Sequence, residues 1–144
     1  SNCLKIDAKE FSRRRLSVRE TATLLMNMIA RHPEKEFMFT VSPIRHFKDG
    51  AHGNQISKST LLLALDEVLA KFPERCEYFP AYEIVLDELR DYRFYAADMI
   101  HPSDQAVDYL WSRFVRFAMP ESELPALDAR RRELLRAQHR PIHG

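Results

Sequence analysis

A buried β-strand is predicted over Glu36-Phe37-Met38-Phe39-Thr40-Val41-Ser42, a short apolar run of β-prone residues that Pro43 ends. The segments that follow it along the chain decide which strand it pairs with.

A polar loop is expected from Ile44 to about Ile56, because Gly50 and Gly53 lie within it. A helix should then begin near Ser57 or Ser59, since either hydroxyl could cap it. The helix is expected to end at Pro73. Its predicted buried stripe consists of Leu61, Leu65, Val68, Leu69 and Phe72.

A second, weaker strand is predicted over Cys76–Phe79 and ends at Pro80. Strand, helix and strand in this order form a βαβ unit, so the two strands should be parallel with a right-handed crossover. Two parallel strands alone are marginal, so the sheet is expected to be incomplete. Either further strands lie upstream in a longer protein, or a second copy of the chain forms a homodimer through the open sheet edge.

Further helices are predicted before and after this unit along the chain. Ser17 and Glu20 have the spacing of a capping box and open a first helix that ends at His32-Pro33. Tyr82–Leu89 is predicted as a short helix, 90–100 as an ordered loop, and Ser103 as the cap of a long helix. A last helix is predicted over 125–138. The residues expected to face inward on the first helix and on the last two are Val18, Ala22, Leu25, Ile29, Val107, Leu110, Trp111, Phe114, Leu124, Leu127, Leu134 and Leu135. The predicted fold class is α/β: a helix-rich, three-layer fragment with a short parallel sheet.

Composition limits the classes of function. The formal net charge is +1, which gives no general attraction to nucleic acid or to an anionic membrane. Cys3 and Cys76 form neither a disulfide framework nor a zinc motif, which favours a reducing compartment such as the cytoplasm. No apolar run is long enough to span a bilayer, and the N-terminus has no signal-peptide pattern. The chain lacks a starting Met and is expected to be an excised piece.

Asp98 and His101 are the strongest candidates for chemistry. They lie in the loop before the helix that Ser103 caps, and an Asp-x-x-His span can bring a carboxylate to an imidazole. The carboxylate would then fix the tautomer and leave the other ring nitrogen free to accept a proton from a nucleophile. The alternative is that Asp98 caps a local turn and His101 packs at the start of the helix.

A second cluster follows the first strand: Arg45, His46, Asp49, His52 and Asn54. Arg45 could hold an anionic or acyl-oxygen group of a substrate, with His46 and Asn54 beside it. A metal site from the two histidines and Asp49 is disfavoured, because their spacing matches no usual ligand set. In a purely structural alternative, Arg45 pairs with an acid from a later segment. The candidate acids are Glu83, Asp87 and Asp91.

Several stretches together resemble the GSCFA family. They are Thr40–His46, Asp49–Lys58, Tyr78–Ile84, Asp87–Tyr95 and Asp98–Ser103. The resemblance runs from about Asn2 to Phe114. It implies a relation to the SGNH, or GDSL-like, esterases and a fold like the C-terminal half of their flavodoxin-like domain. In those esterases a final Asp-x-x-His block supplies acid and base, and the resemblance implies these roles for Asp98 and His101.

The resemblance also implies that the Ser nucleophile and the oxyanion-hole residues belong upstream of Ser1. The predicted function is therefore SGNH-type hydrolysis of an acyl or acetyl ester, on a small molecule or a glycan, with this piece alone inactive. No cofactor, metal or nucleic-acid or membrane partner is expected. The predicted domains are 1–119 as part of the hydrolase-like domain and 120–144 as a helical extension. The alternative function is a non-catalytic binding or assembly domain with the same architecture.

Overall fold

A computed structural model describes residues 12 and 14–138, and the chain in it divides into two compact units. The first unit holds the described residues up to Val41 together with Arg45–Tyr78. The second holds Ser42–Ile44 and the described residues from Phe79 onward. Cys3 lies outside the described residues.

The first unit begins with helix α1, Val18–Ala30, and the predicted capping box is confirmed. The Glu20 backbone N–H donates to Ser17 Oγ at 3.2 Å, and the Ser17 backbone N–H donates to the Glu20 carboxylate at 2.9 Å. Two of the amides left unpaired at the helix start are thereby satisfied. Ala22 and Ile29 are buried, as their spacing predicts.

The sheet consists of β1, Phe37–Phe39, and β2, Cys76–Tyr78, and it is parallel as predicted. Phe37 pairs with Cys76 and Phe39 with Tyr78. Phe37 and Phe39 pack against a core of Ile29, Val68 and Cys76. Both strands are shorter than the sequence predicts. The α/β class with a short parallel sheet is confirmed.

Helix α2 spans Gly50–Lys71, so the expected loop to Ile56 and the expected caps Ser57 and Ser59 are wrong. The helix starts earlier because Gly50 turns the chain, with φ 72° and ψ 169°. A 3₁₀ turn over Phe47–Asp49 leads into it. Ser59 lies inside the helix and donates to the Gln55 carbonyl at 2.9 Å. Gly53 lies inside it as well, at a position where an added Cβ would come within 2.8 Å of the Asp49 Cβ.

The buried face of α2 consists of Lys58, Ala64, Leu65 and Val68, and burial lowers the pKa of the Lys58 ammonium. Leu61, predicted to be buried, is exposed, because the helix face nearest the core passes through Ala64 instead.

Arg75 connects the end of α1 to β2. Its guanidinium donates to the carbonyls of Ile29, His32 and Lys35, with the shortest bond, to His32, at 2.6 Å. These carbonyls belong to the last turn of α1 and the loop after it, where those of Ile29 and His32 also accept the backbone N–H groups of His32 and Lys35.

The second unit begins with α3, Ala81–Glu83, which continues as a π-helical turn over Ile84–Leu89. This confirms the helix predicted over Tyr82–Leu89. Its core consists of Phe79, Ala81 and Ile84, against which Leu110 and Phe114 pack. The Phe79 and Phe114 rings meet edge to face with centroids 5.3 Å apart. The core therefore joins α3 to the helix that carries Leu110 and Phe114.

That helix is α4, Asp104–Ala118, and a 3₁₀ turn over Glu121–Glu123 leads into α5, Leu124–Gln138. Ser103 caps α4 as predicted, accepting the Ala106 N–H at 3.3 Å. Val107 and Trp111, predicted to face inward, are about half exposed, because Ala106, Leu110 and Phe114 form the packed stripe. Leu134 and Leu135 on α5 are likewise exposed. Within the described chain no helix is long and apolar enough to cross a membrane.

Candidate active site

Asp98 and His101 lie in a loop of the second unit that is closed at its base by backbone hydrogen bonds. The Ala96 N–H donates to the His101 carbonyl and the Ser103 N–H to the Phe94 carbonyl, both at 2.8 Å. Phe94 is buried beneath the loop, and the Ser103 cap attaches its far end to α4. The loop is therefore held at both ends by packed structure.

Within this loop the Asp98 carboxylate faces the imidazole of His101. Nδ1 of His101 lies 2.6 Å from Asp98 Oδ2. The other carboxylate oxygen, Oδ1, accepts the backbone N–H groups of Ile100 at 2.9 Å and His101 at 3.0 Å. The carboxylate thus holds both the ring and the backbone of the histidine that it faces.

These three hydrogen bonds favour the ionised form of Asp98. The His101 imidazole and the two backbone N–H groups lower the pKa of Asp98 to about 2, so this carboxyl is ionised at neutral pH. An ionised carboxylate only accepts hydrogen bonds, so Nδ1 carries the proton. In the neutral ring Nε2 is then the unprotonated nitrogen.

Nε2 of His101 is accessible. The His101 side chain is 58% exposed and that of Asp98 45% exposed. Among the described residues Nε2 has no hydrogen-bond partner. The ring can therefore accept a proton from a group that approaches its outer edge.

Met99 was not singled out by the sequence, yet it shapes this loop. Its φ is +59°, in the left-handed region that side chains rarely adopt. Its N–H donates to the Ala96 carbonyl at 2.9 Å, which closes a turn between the two. No residue-type signal marks the position, since Gly or Asn would be the usual choice there.

Five serine hydroxyls of the described residues are engaged in local structure. Ser17 and Ser103 cap helices, and Ser42 Oγ accepts the Ile44 N–H at 3.2 Å. Ser59 and Ser112 donate to carbonyls of their own helices. None of these serines stands in the Gly-flanked strand-to-helix turn that exposes a nucleophile.

The predicted substrate-binding residues lie together in the first unit. Arg45, His46 and Asn54 line an open hollow of about 420 Å³. The Asn54 side-chain oxygen accepts the His46 backbone N–H at 2.9 Å, so Asn54 shapes the loop as well as lining the hollow. Ser57, expected as a helix cap, lines the same hollow. The sequence could have indicated this role, because Ser57 follows Asn54 by three residues and residues with that spacing lie on the same face of a helix.

His46, Asp49 and His52 do not converge. Across the described ranges no three His, Cys, Asp or Glu side chains come together in a way that could hold a metal ion.

A family model described as the GSCFA family matches residues 1–114. The chain belongs to the GSCFA family. No curated protein and no solved structure matches it. The matched residues of this GSCFA-family chain include Asp98, His101 and the hollow of the first unit, whereas α5 lies beyond them.

Proposed function

We propose that this GSCFA-family chain supplies the acid–base pair of an SGNH-type ester hydrolase. His101 is the general base that removes a proton from an attacking hydroxyl, and Asp98 holds its ring and stabilises the imidazolium that forms. The observation that carries the proposal is the 2.6 Å contact between Nδ1 and Oδ2 with Nε2 exposed. The SGNH relationship itself is part of the proposal.

The attacking hydroxyl is proposed to come from outside the described residues. Ser17, Ser42, Ser59, Ser103 and Ser112 are engaged in local hydrogen bonds. Ser57 lies inside α2 and not in the Gly-flanked strand-to-helix turn that exposes a nucleophile. On this proposal the 144 residues alone do not hydrolyse esters. Hydrolysis of an aryl ester by the isolated chain, abolished by His101→Ala, would show that a nucleophile is present after all.

The test is hydrolysis of aryl acetates by the protein at its full natural length. We expect His101→Ala and Asp98→Asn each to lower kcat by about 10²–10⁴-fold, the usual contribution of general acid–base catalysis. KM should change little, because the substitutions remove proton transfer rather than substrate contacts.

His32 provides a matched control. Its Nδ1 also faces a carboxylate, that of Glu34, but at 3.9 Å, and its side chain is 47% exposed. His32→Ala should leave kcat unchanged, since the Arg75 guanidinium binds only the His32 backbone carbonyl. Full activity in the His101→Ala protein would refute the catalytic assignment.

A second candidate function is an assembly domain that forms a homodimer through the open edge of the sheet. It is favoured by the strand order, because in the described residues the sheet has only β1 and β2, and each strand therefore pairs along one edge only. Light scattering separates the two candidates in part. A strictly monomeric chain at high concentration would rule out edge-to-edge assembly.

A further inference from the structure

Two neighbouring hollows open on the first unit, and the first lies between the segment before α1 and the helix α2. It measures about 400 Å³, and its lining includes Arg14, Arg15, Thr21 and Thr60. Arg14 already binds Glu20 at 2.9 Å. Arg15 is exposed and, within the described part of the chain, forms no ion pair.

The second hollow is the one of about 420 Å³ at the start of α2, whose lining includes Arg45, His46, Lys48 and Asn54. Lys48 is exposed and has no ion pair with any residue that the structure describes. Each hollow thus presents basic side chains, and each has the volume of a small-ligand site.

The two hollows share lining residues. Asp49 and Ser57 line both, so the two hollows adjoin each other at the first turns of α2, and together they are called the groove. Basic side chains lie on either side, and a carboxylate and a hydroxyl lie between them. Thr60 adds a hydroxyl that donates to the Ile56 carbonyl at 2.9 Å and keeps its lone pairs as acceptors.

The positions of the charged side chains in the groove determine which class of ligand fits it. Guanidinium and ammonium groups bind carboxylates and phosphates, whereas a carboxylate such as Asp49 accepts only from donors. A plain polyphosphate has no hydroxyl donors and would place its own negative charge against Asp49. A sugar with acidic substituents offers both anions for the sides of the groove and hydroxyl donors for its middle.

We propose that the first unit binds an acidic carbohydrate in this groove. The anionic groups lie against Arg15 and Lys48, and sugar hydroxyls lie against Asp49 and Ser57. The proposal concerns the first unit only and does not depend on the proposed hydrolysis. Its failure would leave the assignment of Asp98 and His101 untouched.

Titration calorimetry on the full chain at low salt tests the proposal with four probes. Trigalacturonate carries carboxylates, glucose 6-phosphate carries a phosphate, maltotriose is neutral and tripolyphosphate has no hydroxyl donors. At least one of the two acidic sugars should bind about tenfold more tightly than maltotriose and tripolyphosphate. The acidic sugar that binds more tightly shows whether the groove recognises carboxylates or a phosphate. No binding of either, or equally tight binding of tripolyphosphate, would overturn the proposal.

Two double variants distinguish specific binding in the groove from a general attraction of anions to basic side chains. Arg15→Ala with Lys48→Ala removes one exposed cation from each hollow. Arg130→Ala with Arg132→Ala removes the same charge from exposed positions on α5. The first pair should weaken acidic-sugar binding by about tenfold or more, because two charge-assisted bonds are lost, and the second by less than about twofold. Equal weakening by both pairs would refute the groove.

Asp49→Asn tests the central part of the groove with almost no change in shape. It should weaken binding of the acidic sugar and strengthen that of tripolyphosphate, because the repulsive charge is gone. Unchanged sugar affinity in this variant would contradict the assigned role of Asp49.

Discussion

The Asp98 carboxylate and the His101 ring are joined by a hydrogen bond that favours the ionised form of Asp98. The bond from the imidazole to Oδ2 makes the ionised form of Asp98 the favoured one, and two backbone N–H groups add to the effect. The pair is exposed, so the effect rests on directed hydrogen bonds and not on burial. The catalytic role of the pair remains a prediction from the sequence and the geometry.

The pKa of Asp98 provides the first test at this scale. His101→Ala removes the largest cause of the lowered value, so the pKa should rise from about 2 toward the ordinary 3.8. A group with a depressed folded-state pKa stabilises the fold above its ordinary pKa and loses that contribution as the pH falls through the depressed value. The stabilising contribution of Asp98 should therefore persist above about pH 4 and vanish near pH 2.

Carboxyl ¹³C NMR of Asp98 measures this directly, and His32→Ala is the control that should leave the titration unchanged. An Asp98 pKa that does not move in His101→Ala would show that the backbone N–H groups alone hold the carboxylate.

At the residue scale the sequence predicted this contact well, because an Asp-x-x-His span is short enough for the side chains to meet whatever the rest of the fold does. It did not predict the left-handed backbone of Met99, since nothing about a methionine marks such a position. A short spacing between two side chains can be recognised in the sequence, whereas a left-handed backbone at a methionine cannot.

Among the helices, too, the sequence predicts some features and misses others. Ser17 and Ser103 were predicted as caps because a capping hydroxyl acts on amides two or three residues away. The sequence does not predict the start of α2, because Gly50 and Gly53 are typical of a loop. One of them turns the chain into the helix, and the other leaves room for Asp49.

Gly50 provides the test at this scale. Its φ of 72° and ψ of 169° lie in a region that essentially only glycine adopts. Gly50→Ala should therefore lower the free energy of unfolding by about 1–3 kcal/mol, although a Cβ there would meet no atom within 4 Å. Chemical denaturation measures the change.

Gly50→Asn serves as the comparison, because asparagine tolerates the left-handed helical region but not this one. It should destabilise the protein as much as alanine does. A neutral effect of either substitution would mean that α2 does not begin at this turn.

At the scale of the whole molecule the chain consists of two units with separate small cores. Ile29, Val68 and Cys76 form the first, and Phe79, Ala81 and Ile84 form the second. The sequence predicted the elements of both but not this division. The predicted boundary between 1–119 and 120–144 stays a prediction. Where a chain divides depends on which contacts between distant residues form, and these are not visible in local periodicity.

Ile29 and Ile84 form a matched pair for testing the division, since both are buried in their own cores. Truncation of either to alanine should cost about 2–5 kcal/mol. Hydrogen exchange should show Ile29→Ala exposing mainly amides of α1, α2 and the sheet, and Ile84→Ala mainly amides of α3 and α4. The same amides responding to both substitutions would show that the chain unfolds as one unit.

The tautomer of His101 decides whether its outer nitrogen can act as a base, and ¹⁵N NMR of the labelled chain measures it at a pH where the ring is neutral. The structure predicts a proton on Nδ1, bonded to Asp98, and an unprotonated Nε2. Asp98→Asn should weaken that preference. A neutral ring that carries its proton mainly on Nε2 in the unsubstituted chain would contradict the assignment of His101 as an outward-facing base.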